Sequence, residues 1–423
     1  MSTLHDPLPI EPLDRPVGAR VRPPGSKSLT NRALVAAALA SGGVSRLDGA
    51  LEADDTATMR RGLRAFGVTV EDVDDPWLVL GTGGRPETPS VAIDARASGT
   101  TARFLTAFAA LAAGPTVVDG STRMRARPIG HLAEALVRGG VAVETANGFP
   151  PVRVGGGGLR GGSIEVDGSL SSQFASALLL VSPCAEAAVD LQVVGTPVST
   201  TYLVSTVEVM RAFGATVEAD DLTFRVEPTG YRQTHFEVEA DASAAVYPLA
   251  AAAVLGGVVV VDGIAAGSSQ PDLRFVDVLE QMGCVVLRGE HGLVLAGPSR
   301  SLQPVEVDMG GAPDAAMALA VVCLFADGPS RIRGLSTLRI KETDRLVALR
   351  TEVERIGGRA EIDGDTLVVG PGSFHGTRVE TYDDHRMAMS FAIAGLRVPG
   401  ITIADPGCVS KTWPGYFDML AGL

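Results

Sequence analysis

Lysine is the residue type whose distribution most strongly suggests chemistry in this chain. Three of its 36 basic side chains are lysines, Lys27, Lys341 and Lys411, and all the others are arginines. An ammonium group is a compact donor whose pKa responds to its surroundings, whereas a guanidinium group is a planar fork that stays charged. We therefore expect the three lysines to mark places where an anion or a transferred proton requires a point donor.

Other candidate residues lie in polar segments that precede alanine-rich runs: PPGSKSLTNR, RASGTTARF, DGSLSSQF and DDHRMAM. A helix N-terminus presents free backbone N–H groups and the positive end of the dipole, so several brought together would favour a multiply anionic ligand. Serine, threonine and aspartate are also ordinary N-caps, so by themselves they do not indicate a ligand site. The cations beside them do. These cations are Lys27, Arg32, Arg103, Arg345, Arg386 and Lys411, and the loop GSTRMRARPIG adds Arg123, Arg125 and Arg127.

Two carboxylates beside these cations are candidates for acid–base chemistry, Asp314 in PDAAMA and Glu342 in KETDR. A nearby cation lowers the pKa of a carboxylate and burial raises it, so the sequence leaves open which one is protonated. Asp314 could instead be a helix N-cap, and Glu342 a surface residue of a helix. His385 in DDHRMA is either a further proton-transfer group or a structural hydrogen-bonding residue.

The elements that must position these residues repeat along the chain. An alanine-rich segment recurs at intervals of about 71 residues, and a glycine or proline and a short β-branched run follow it, which predicts a helix, a cap and a strand. A second set of glycines, each between a helical and a β-branched segment, has the same period. The segments start at Ser28, Gly99, Ser171, Asp241, Pro313 and Asp384, and the glycines are Gly67, Gly140, Gly214, Gly283 and Gly357.

The alanine-rich helices are apolar nearly all round, so we expect them to be buried inside an α/β domain. Six units divide naturally into two similar three-unit domains. The C-terminal FDMLAGL resembles the helical end of a unit, and the N-terminal GARVRP reads as a strand, so we expect both termini to complete the sixth unit. This places one domain at 25–240 and the other at 1–24 and 241–423. Two crossings between the domains favour a hinge with ligands in a cleft.

Composition excludes several classes of protein. The net charge of −13 argues against a nucleic-acid or membrane partner, because both select basic surfaces. Four widely spaced cysteines without a CxxC pair predict buried free thiols, with neither a disulfide framework nor a zinc site. The opening MSTLHDPLPI lacks the basic and apolar regions of a signal peptide. We expect a cytoplasmic monomer that uses no metal and no cofactor.

The sequence resembles the enolpyruvyl transferases, and within them the branch that acts on shikimate 3-phosphate. The resemblance covers essentially the whole chain and implies two similar domains, each of three βαβαββ units around buried helices, an inside-out α/β barrel. The motifs that carry it are PGSKSLTNRAL, SGTTARF, RMRARPIGHL, DGSLSSQF, PDAAMA, RIKETDR, DDHRMAM and DPGCVSKTWPGYF, in that order.

The resemblance implies transfer of the enolpyruvyl group of phosphoenolpyruvate to the 5-hydroxyl of shikimate 3-phosphate, through a tetrahedral intermediate that loses phosphate. It assigns to phosphoenolpyruvate Lys27, Gly99, Arg103, Arg127, Gln173, Arg345, Arg386 and Lys411. It assigns to shikimate 3-phosphate Ser28, Arg32, Ser171, Ser172, Gln173, Ser199, Tyr202, Asp314 and Lys341. Asp314 and Glu342 match the acid–base carboxylates, and Lys27, His385 and Lys411 are the remaining candidates for proton transfer. Opposed cations also predict that the domains close on ligand.

Two positions depart from the family pattern: Ala97 and Thr337 stand where asparagine is usual, and both touch expected substrate contacts. Three other functions were considered, and the two departures favour only the one with a different acceptor. The branch that acts on UDP-N-acetylglucosamine is disfavoured because its reactive cysteine is replaced by Thr122. An enolpyruvyl transferase with a nucleotide or another secondary metabolite as acceptor stays open, as does a repeat-built binding protein that keeps the fold without the chemistry.

Overall fold

A computed structural model describes residues 4–73 and 75–423. The chain forms two compact units: Gly25–Val238, here the inserted unit, and the chain up to Pro24 together with Glu239–Leu423, here the terminal unit. The repeat spacing placed the second boundary after residue 240, whereas the structure places it after Val238. The reason is a backbone hydrogen bond, because the N–H of Val238 still donates to the carbonyl of Asp48 in the inserted unit.

Six α-helices, two for each repeat, lie in the described part of the inserted unit. The first helix of each repeat, α1, α3 or α5, is buried along nearly its whole length, and these three helices pack against one another. Ser26 and Ser98 cap α1 and α3 by accepting backbone N–H groups with their hydroxyls. The helices are α1 Lys27–Leu39, α2 Asp54–Ala65, α3 Gly99–Ala109, α4 Gly130–Arg138, α5 Gln173–Val181 and α6 Thr201–Ala212.

Three four-stranded sheets surround these helices, and they share one pattern. The first strand is parallel to the second, and two antiparallel strands follow. The strands, in spatial order, are His235–Glu237, Val44–Asp48, Trp77–Leu80 and Thr69–Glu71; Ile93–Asp94, Thr116–Asp119, Phe149–Val154 and Val143–Ala146; and Gly162–Asp167, Val189–Val194, Thr223–Val226 and Val217–Asp220. A parallel pair, Ala40–Ser41 and Tyr231–Arg232, joins the two ends of the unit.

The terminal unit repeats this arrangement. Its buried helices α7, α9 and α11 pack against one another, and Asp241 and Asp384 cap α7 and α11. The helices are α7 Ala242–Leu255, α8 Arg274–Gln281, α9 Ala316–Cys323, α10 Arg345–Arg355, α11 His385–Gly395 and α12 Tyr416–Ala421. Short 3₁₀ helices lie at Pro271–Leu273, Ser336–Ile340 and Pro406–Lys411.

The N-terminal segment supplies strands to two sheets of the terminal unit, and here one expectation was wrong. GARVRP does form a strand, Val17–Val21, but it pairs in parallel with Gly257–Asp262 and so opens the fourth repeat. The sixth repeat receives Leu8–Pro9 instead, which pairs with Thr402–Ile403. The sheets, in spatial order, are Val285–Gly289, Gly292–Ala296, Gly257–Asp262 and Val17–Val21; Glu306–Asp308, Ser330–Arg333, Thr366–Gly370 and Arg359–Asp363; and Leu8–Pro9, Thr402–Ile403 and Arg378–Val379.

The second set of repeated glycines has the backbone conformation that a helix end requires. All five have φ between 84° and 99°, a region that residues with a side chain rarely adopt, so each glycine turns the chain from a helix towards a strand. Each unit has its own hydrophobic core, built largely on its alanine-rich helices.

Two of the four cysteines differ from the expectation of burial. Cys284 and Cys323 are buried, whereas Cys184 and Cys408 are half-buried, and all four are free thiols. No helix in the described part of the chain combines the length and the apolar character needed to cross a bilayer.

Candidate active site

Arg345 is the centre of a charged cluster in the terminal unit. Its Nε and Nη2 atoms lie 2.6 and 3.0 Å from the two carboxylate oxygens of Asp384, a bidentate pair. Its Nη1 atom lies 2.8 Å from Oδ1 of Asp314, and its Nη2 atom lies 2.9 Å from Oε2 of Glu342. The Arg345 side chain is only 1% exposed. One buried guanidinium therefore holds three carboxylates in a fixed arrangement.

Further cations surround the two candidate acid–base residues. Asp314 lies 3.5 Å from Nζ of Lys341 and 3.2 Å from Nη2 of Arg386, in addition to its contact with Arg345. The Nζ atom of Lys411 lies 3.7 Å from Oε1 of Glu342. The side chains of Asp314 and Glu342 are 17% and 12% exposed, more than that of Arg345 between them. The structure thus brings together the residues predicted from PDAAMA, KETDR, DDHR and VSKTW.

Helix ends position this cluster. Arg345 is the first residue of α10, and Asp384 is the N-cap of α11, where its Oδ1 atom accepts the backbone N–H of Arg386 at 2.9 Å. Lys341 follows the 3₁₀ helix Ser336–Ile340, and Lys411 ends the one at Pro406–Lys411. Regular elements hold the charged groups more rigidly than loops would, which suits a site that must be preorganised for anions.

The charge balance of the cluster is visible in its pKa shifts. Burial alone would lower the pKa of Arg345, but Asp384, Glu342 and Asp314 raise it above its ordinary value. Burial opposes the charge of Arg386 in the same way, and Asp314 is the main group that raises its pKa well above normal. Both guanidinium groups therefore remain charged at any pH at which the protein is folded.

Two residues behind Arg386 were not singled out from the sequence. Tyr247 and Asp272 lie close to its guanidinium group. Burial raises the pKa of Asp272, whose Oδ2 atom accepts the hydroxyl of Ser243 at 2.6 Å. Burial also raises the pKa of Tyr247 to about 12. Tyr247 lies inside α7 and Asp272 in the 3₁₀ helix Pro271–Leu273, and neither belongs to a sequence motif that indicated the site.

His385 lies next to Asp384, inside the charged cluster. It is the first residue of α11, its side chain is 1% exposed, and its Nδ1 atom lies 3.6 Å from Oδ1 of Asp384. The choice between proton transfer and a structural role, which the sequence left open, stays a prediction for His385.

In the inserted unit, Arg32 is the most deeply buried candidate cation. Its Nε atom donates to the hydroxyl of Thr206 at 2.8 Å, and its Nη1 atom donates to the carbonyl of Ser28 at 3.0 Å. The hydroxyl of Ser176 and the carbonyl of Tyr202 accept from Nη2, each at 3.4 Å. Burial lowers the pKa of Arg32 to about 10, since these partners are neutral. A buried cation with neutral partners favours an incoming anion.

Lys27 lies at the N-terminus of the same helix. It is the first residue of α1, and its Nζ atom lies 3.4 Å from Oδ2 of Asp55, in the first turn of α2. The side chains are 15% and 6% exposed. Asp55 was not predicted from the sequence, although an acidic residue in the first turn of a helix is a weak signal for a charged site.

Two more arginines surround the start of α3. A Cβ atom added to Gly99 would lie 2.7 Å from Nη2 of Arg127 and 2.8 Å from Nη1 of Arg103, so a side chain there would push the ends of both arginines aside. Arg103 donates to the carbonyls of Gly99 and Pro128 at 3.1 and 3.0 Å. The structure thus places both predicted arginines against the predicted glycine.

The predicted polar residues of α5 and α6 lie at the helix starts. Gln173 is the first residue of α5, and its Nε2 atom donates to Thr100 at 3.3 Å, at the start of α3. Ser171 accepts the backbone N–H of Gln173 at 3.2 Å, and Ser172 is buried. Ser199 precedes α6 with a φ of 53°. Tyr202 contacts Arg32 through its carbonyl, whereas the resemblance assigned it to shikimate 3-phosphate; that role stays a prediction.

The two departures from the family pattern differ in their surroundings. Thr337 is 6% exposed, and its hydroxyl has no hydrogen-bond partner among the described residues. Ala97 is half-buried and lies two residues before Gly99. A polar atom that is buried without a partner is costly, so the Thr337 hydroxyl marks a place where a ligand group or a water molecule would be favourable.

Within residues 4–73 and 75–423, no three histidine, cysteine, aspartate or glutamate side chains are grouped in a way that could hold a metal ion. The charged side chains described above form ion pairs or lie at helix starts, which are features of an anion-binding site.

Comparison with known proteins identifies the family. Residues 13–420 match the family model of EPSP synthase (3-phosphoshikimate 1-carboxyvinyltransferase). A 3-phosphoshikimate 1-carboxyvinyltransferase of Methanoculleus marisnigri is 43% identical over 412 residues, which are 96% of this chain and 97% of that protein. One from Pseudomonas syringae pv. syringae is 43% identical over 425 residues, which are 98% of this chain and 97% of its own.

Solved structures agree. The EPSP synthase of Acinetobacter baumannii superposes with a TM-score of 0.81 at 25% identity, over 98% of this chain and 97% of that one. The enolpyruvyl transferase NikO of Streptomyces tendae shares the fold, with a TM-score of 0.77 at 22% identity, over 98% and 96% of the two chains. The predicted fold class, two similar α/β domains of three repeats each, is confirmed. The chain belongs to the EPSP synthase family.

Proposed function

We propose that this chain transfers the enolpyruvyl group of phosphoenolpyruvate to the 5-hydroxyl of shikimate 3-phosphate and releases phosphate. The observation that carries the proposal is the cluster around Arg345, in which the carboxylates Asp314 and Glu342 each lie beside a lysine and share one buried guanidinium. Such a cluster combines strong anion binding with groups that can exchange protons. Relatives that carry the name of this activity support it.

In this proposal, Arg345, Arg386 and Lys411 bind the phosphate and carboxylate of phosphoenolpyruvate in the terminal unit. Lys27, Arg103 and Arg127 serve the same substrate from the inserted unit. Phosphoenolpyruvate carries two anionic groups, and bidentate guanidinium donors match both geometrically. The burial of Arg345 and Arg386 supports this role, because their charges are little screened by solvent.

Arg32 is proposed to bind shikimate 3-phosphate, together with Ser28 and the polar residues at the starts of α5 and α6. Its neutral partners support this assignment, because an anion would relieve the cost of burying the guanidinium group. Lys341 and Asp314 contribute from the terminal unit, where they form an ion pair with each other.

The reaction needs one group to take the proton of the 5-hydroxyl and another to deliver a proton to C3 of phosphoenolpyruvate. We propose Asp314 and Glu342 for these steps, with Lys27 and Lys411 as the ammonium groups nearest to the transferring protons. The resulting tetrahedral intermediate releases phosphate when the bond between C2 and the phosphate oxygen breaks and one of the two carboxylates takes a proton back from C3, which restores the C2–C3 double bond. The cations around both carboxylates would stabilise the negative charge that develops on the leaving phosphate.

The decisive experiment measures inorganic phosphate released from phosphoenolpyruvate with shikimate 3-phosphate, UDP-N-acetylglucosamine or another nucleotide as acceptor. We expect release only with shikimate 3-phosphate, and the enolpyruvyl product should appear in equal amount by mass spectrometry. Release with a nucleotide acceptor alone would replace this proposal with that of a different acceptor, and no release with any of them would favour a binding protein.

We further propose that the protein acts as a cytoplasmic monomer on these small anions, without nucleic acid, membrane, metal or cofactor. The net charge of −13 supports the exclusion of nucleic acid and anionic membranes. Size-exclusion chromatography with light scattering tests the monomer. Phosphate release after treatment with a chelator tests the metal: activity that is lost and then restored by one divalent ion would contradict the proposal.

A further inference from the structure

Helix α10 contacts the segment that precedes α11 at two points, two helical turns apart. The first point is the bidentate pair of Arg345 with Asp384. The second is Glu352, seven residues further along α10, which therefore lies on the same face of the helix. The first contact belongs to the charged cluster already described. The second has no part in that cluster, so its function requires a separate explanation.

Glu352 is a fully buried carboxylate with several hydrogen-bond donors. Its Oε1 atom accepts the hydroxyl of Tyr382 at 2.7 Å, and its Oε2 atom accepts the backbone N–H of Glu380 at 3.1 Å. Arg355, in the last turn of α10, lies 3.1 Å from Oε1 and is the counterion. The Glu352 side chain is 0% exposed. A buried carboxylate is costly unless it is hydrogen-bonded, and these donors supply the hydrogen bonds.

The segment that Glu352 holds has an unusual backbone. Tyr382 and Asp383 have φ values of 57° and 56°, so two consecutive residues with side chains adopt the left-handed conformation. Each such residue costs about 1 kcal/mol or more and persists only where its surroundings hold it. The next residue is Asp384, the N-cap of α11. The direction in which α11 begins therefore depends on this turn.

We propose that Glu352 is a positioning residue for the reaction: with Tyr382 and the backbone of Glu380, it holds the left-handed turn that places Asp384. Asp384 in turn orients Arg345 through the bidentate pair and Arg386 through the backbone N–H that it accepts. Loss of the Glu352 contact loosens the turn and lets both guanidinium groups move. The inference rests on the proposed function, because it concerns the groups assigned to phosphoenolpyruvate.

The test substitution is Tyr382→Phe, which removes one hydroxyl from a half-exposed ring and leaves the fold intact. We expect the KM for phosphoenolpyruvate to rise about fivefold and the KM for shikimate 3-phosphate to change by less than about twofold, because the loosened groups are those assigned to phosphoenolpyruvate. Glu352→Gln should give the same split, and the double variant should be no worse than the more impaired single one, since both act through one contact.

The matched control is Tyr416→Phe. The Tyr416 hydroxyl donates to the carbonyl of Met389 at 2.7 Å, so this variant also removes one tyrosine hydrogen bond to α11, but not at the turn. We expect it to lower stability without separating the two KM values. If Tyr382→Phe raises both KM values equally, or leaves both within about 1.5-fold of the parent, the positioning role is wrong.

A second measurement does not depend on activity. Hydrogen exchange followed by mass spectrometry should show faster exchange in the peptide spanning residues 380–388 for Tyr382→Phe than for the parent or Tyr416→Phe. Unchanged exchange there overturns the inference even if the enzyme is fully active. If the parent releases no phosphate but the exchange rate rises as expected, the proposed function fails while the role of Glu352 in holding the turn stands.

Discussion

Arg345 and Asp384 form a bidentate ion pair in the interior of the terminal unit, although 39 residues separate them in the sequence. The side chains are 1% and 0% exposed, so water solvates neither charge and each helps to compensate the other. Asp384 also caps α11 through the backbone N–H of Arg386. One carboxylate thus connects the start of α10 to the start of α11.

Replacement of Asp384 by alanine should therefore cost far more stability than loss of a cap alone. We expect Asp384→Ala to lower the free energy of unfolding by about 3 kcal/mol, because it removes a cap and leaves a buried guanidinium with one partner fewer. Asp344→Ala is the control: Asp344 caps α10, but its side chain is 39% exposed. It should cost about 1 kcal/mol. Urea unfolding measures both, and equal losses would show that the ion pair adds nothing.

The three lysines should not tolerate arginine. Each ammonium lies beside one carboxylate, at 3.4 Å for Lys27, 3.5 Å for Lys341 and 3.7 Å for Lys411. A guanidinium is bulkier and stays charged, so we expect each Lys→Arg variant to remain folded while kcat falls about 10²-fold or more.

The converse substitution, Arg20→Lys, is the control, because the side chain of Arg20 is 73% exposed. It should leave kcat unchanged. Turnover of all three lysine variants within about threefold of the parent would mean that the scarcity of lysine is an accident of composition.

Arg32 should lower the stability of the ligand-free protein and increase its affinity for shikimate 3-phosphate. Burial lowers the pKa of Arg32 in the folded state to about 10, so the charged form is disfavoured in the folded protein. This lowers the free energy of unfolding at every pH below about 10. Stability should rise as the pH passes above about 10, because the folded state then releases the proton of Arg32 while the unfolded state still holds it. We expect Arg32→Met to raise the free energy of unfolding of the ligand-free protein by about 1 kcal/mol or more at pH 7.

The same variant should lose the stabilisation by substrate. Shikimate 3-phosphate at about 100 times its Kd should stabilise the parent by about 2.7 kcal/mol, and it should have no effect on Arg32→Met. Thermal unfolding with and without shikimate 3-phosphate measures both quantities. A variant less stable than the parent without ligand would contradict the account of Arg32 as a buried cation with neutral partners.

The thiols should be unreactive in the folded protein. Burial raises the pKa of Cys184, Cys284 and Cys323 to about 12, and it also raises the pKa of Cys408. At pH 8 about one in 10⁴ of the first three thiols is a thiolate, the form that reacts. We expect iodoacetamide at pH 8 to leave activity unchanged, and mass spectrometry should find labels only after denaturation. Rapid labelling of one cysteine with loss of activity would show that a thiol takes part in the chemistry.

Much of the candidate site could be predicted from the sequence because its residues lie in short contiguous motifs. KETDR places Lys341, Glu342 and Arg345 within one turn before and at the start of α10, and the structure joins them to Asp314. Residues that are close in sequence at a helix start are also close in the folded protein, since the helix determines the positions of their side chains. The glycines of the second repeat phase were likewise recognisable, because only glycine readily adopts the conformation that follows a helix.

The partners of these residues could not be predicted in the same way. Arg32 contacts Thr206, 174 residues away, and nothing in the local pattern of either segment specifies that pair. The strand Val17–Val21 was recognised, but its pairing with Gly257–Asp262 depends on which sheet edge the folded unit leaves open. Asp55 and Glu352 lie in ordinary helical sequence and were overlooked.

By itself, then, the sequence determined the repeat, the fold class and the cations of the charged clusters, because hydrophobic periodicity and short motifs act over a few residues. Only the tertiary structure decided which charges meet, how deeply they are buried and what holds them. Burial and long-range pairing determine how well a charge is compensated in the interior. Burial lowers the pKa of Arg32, whose partners are neutral, whereas three carboxylates raise the pKa of the equally buried Arg345.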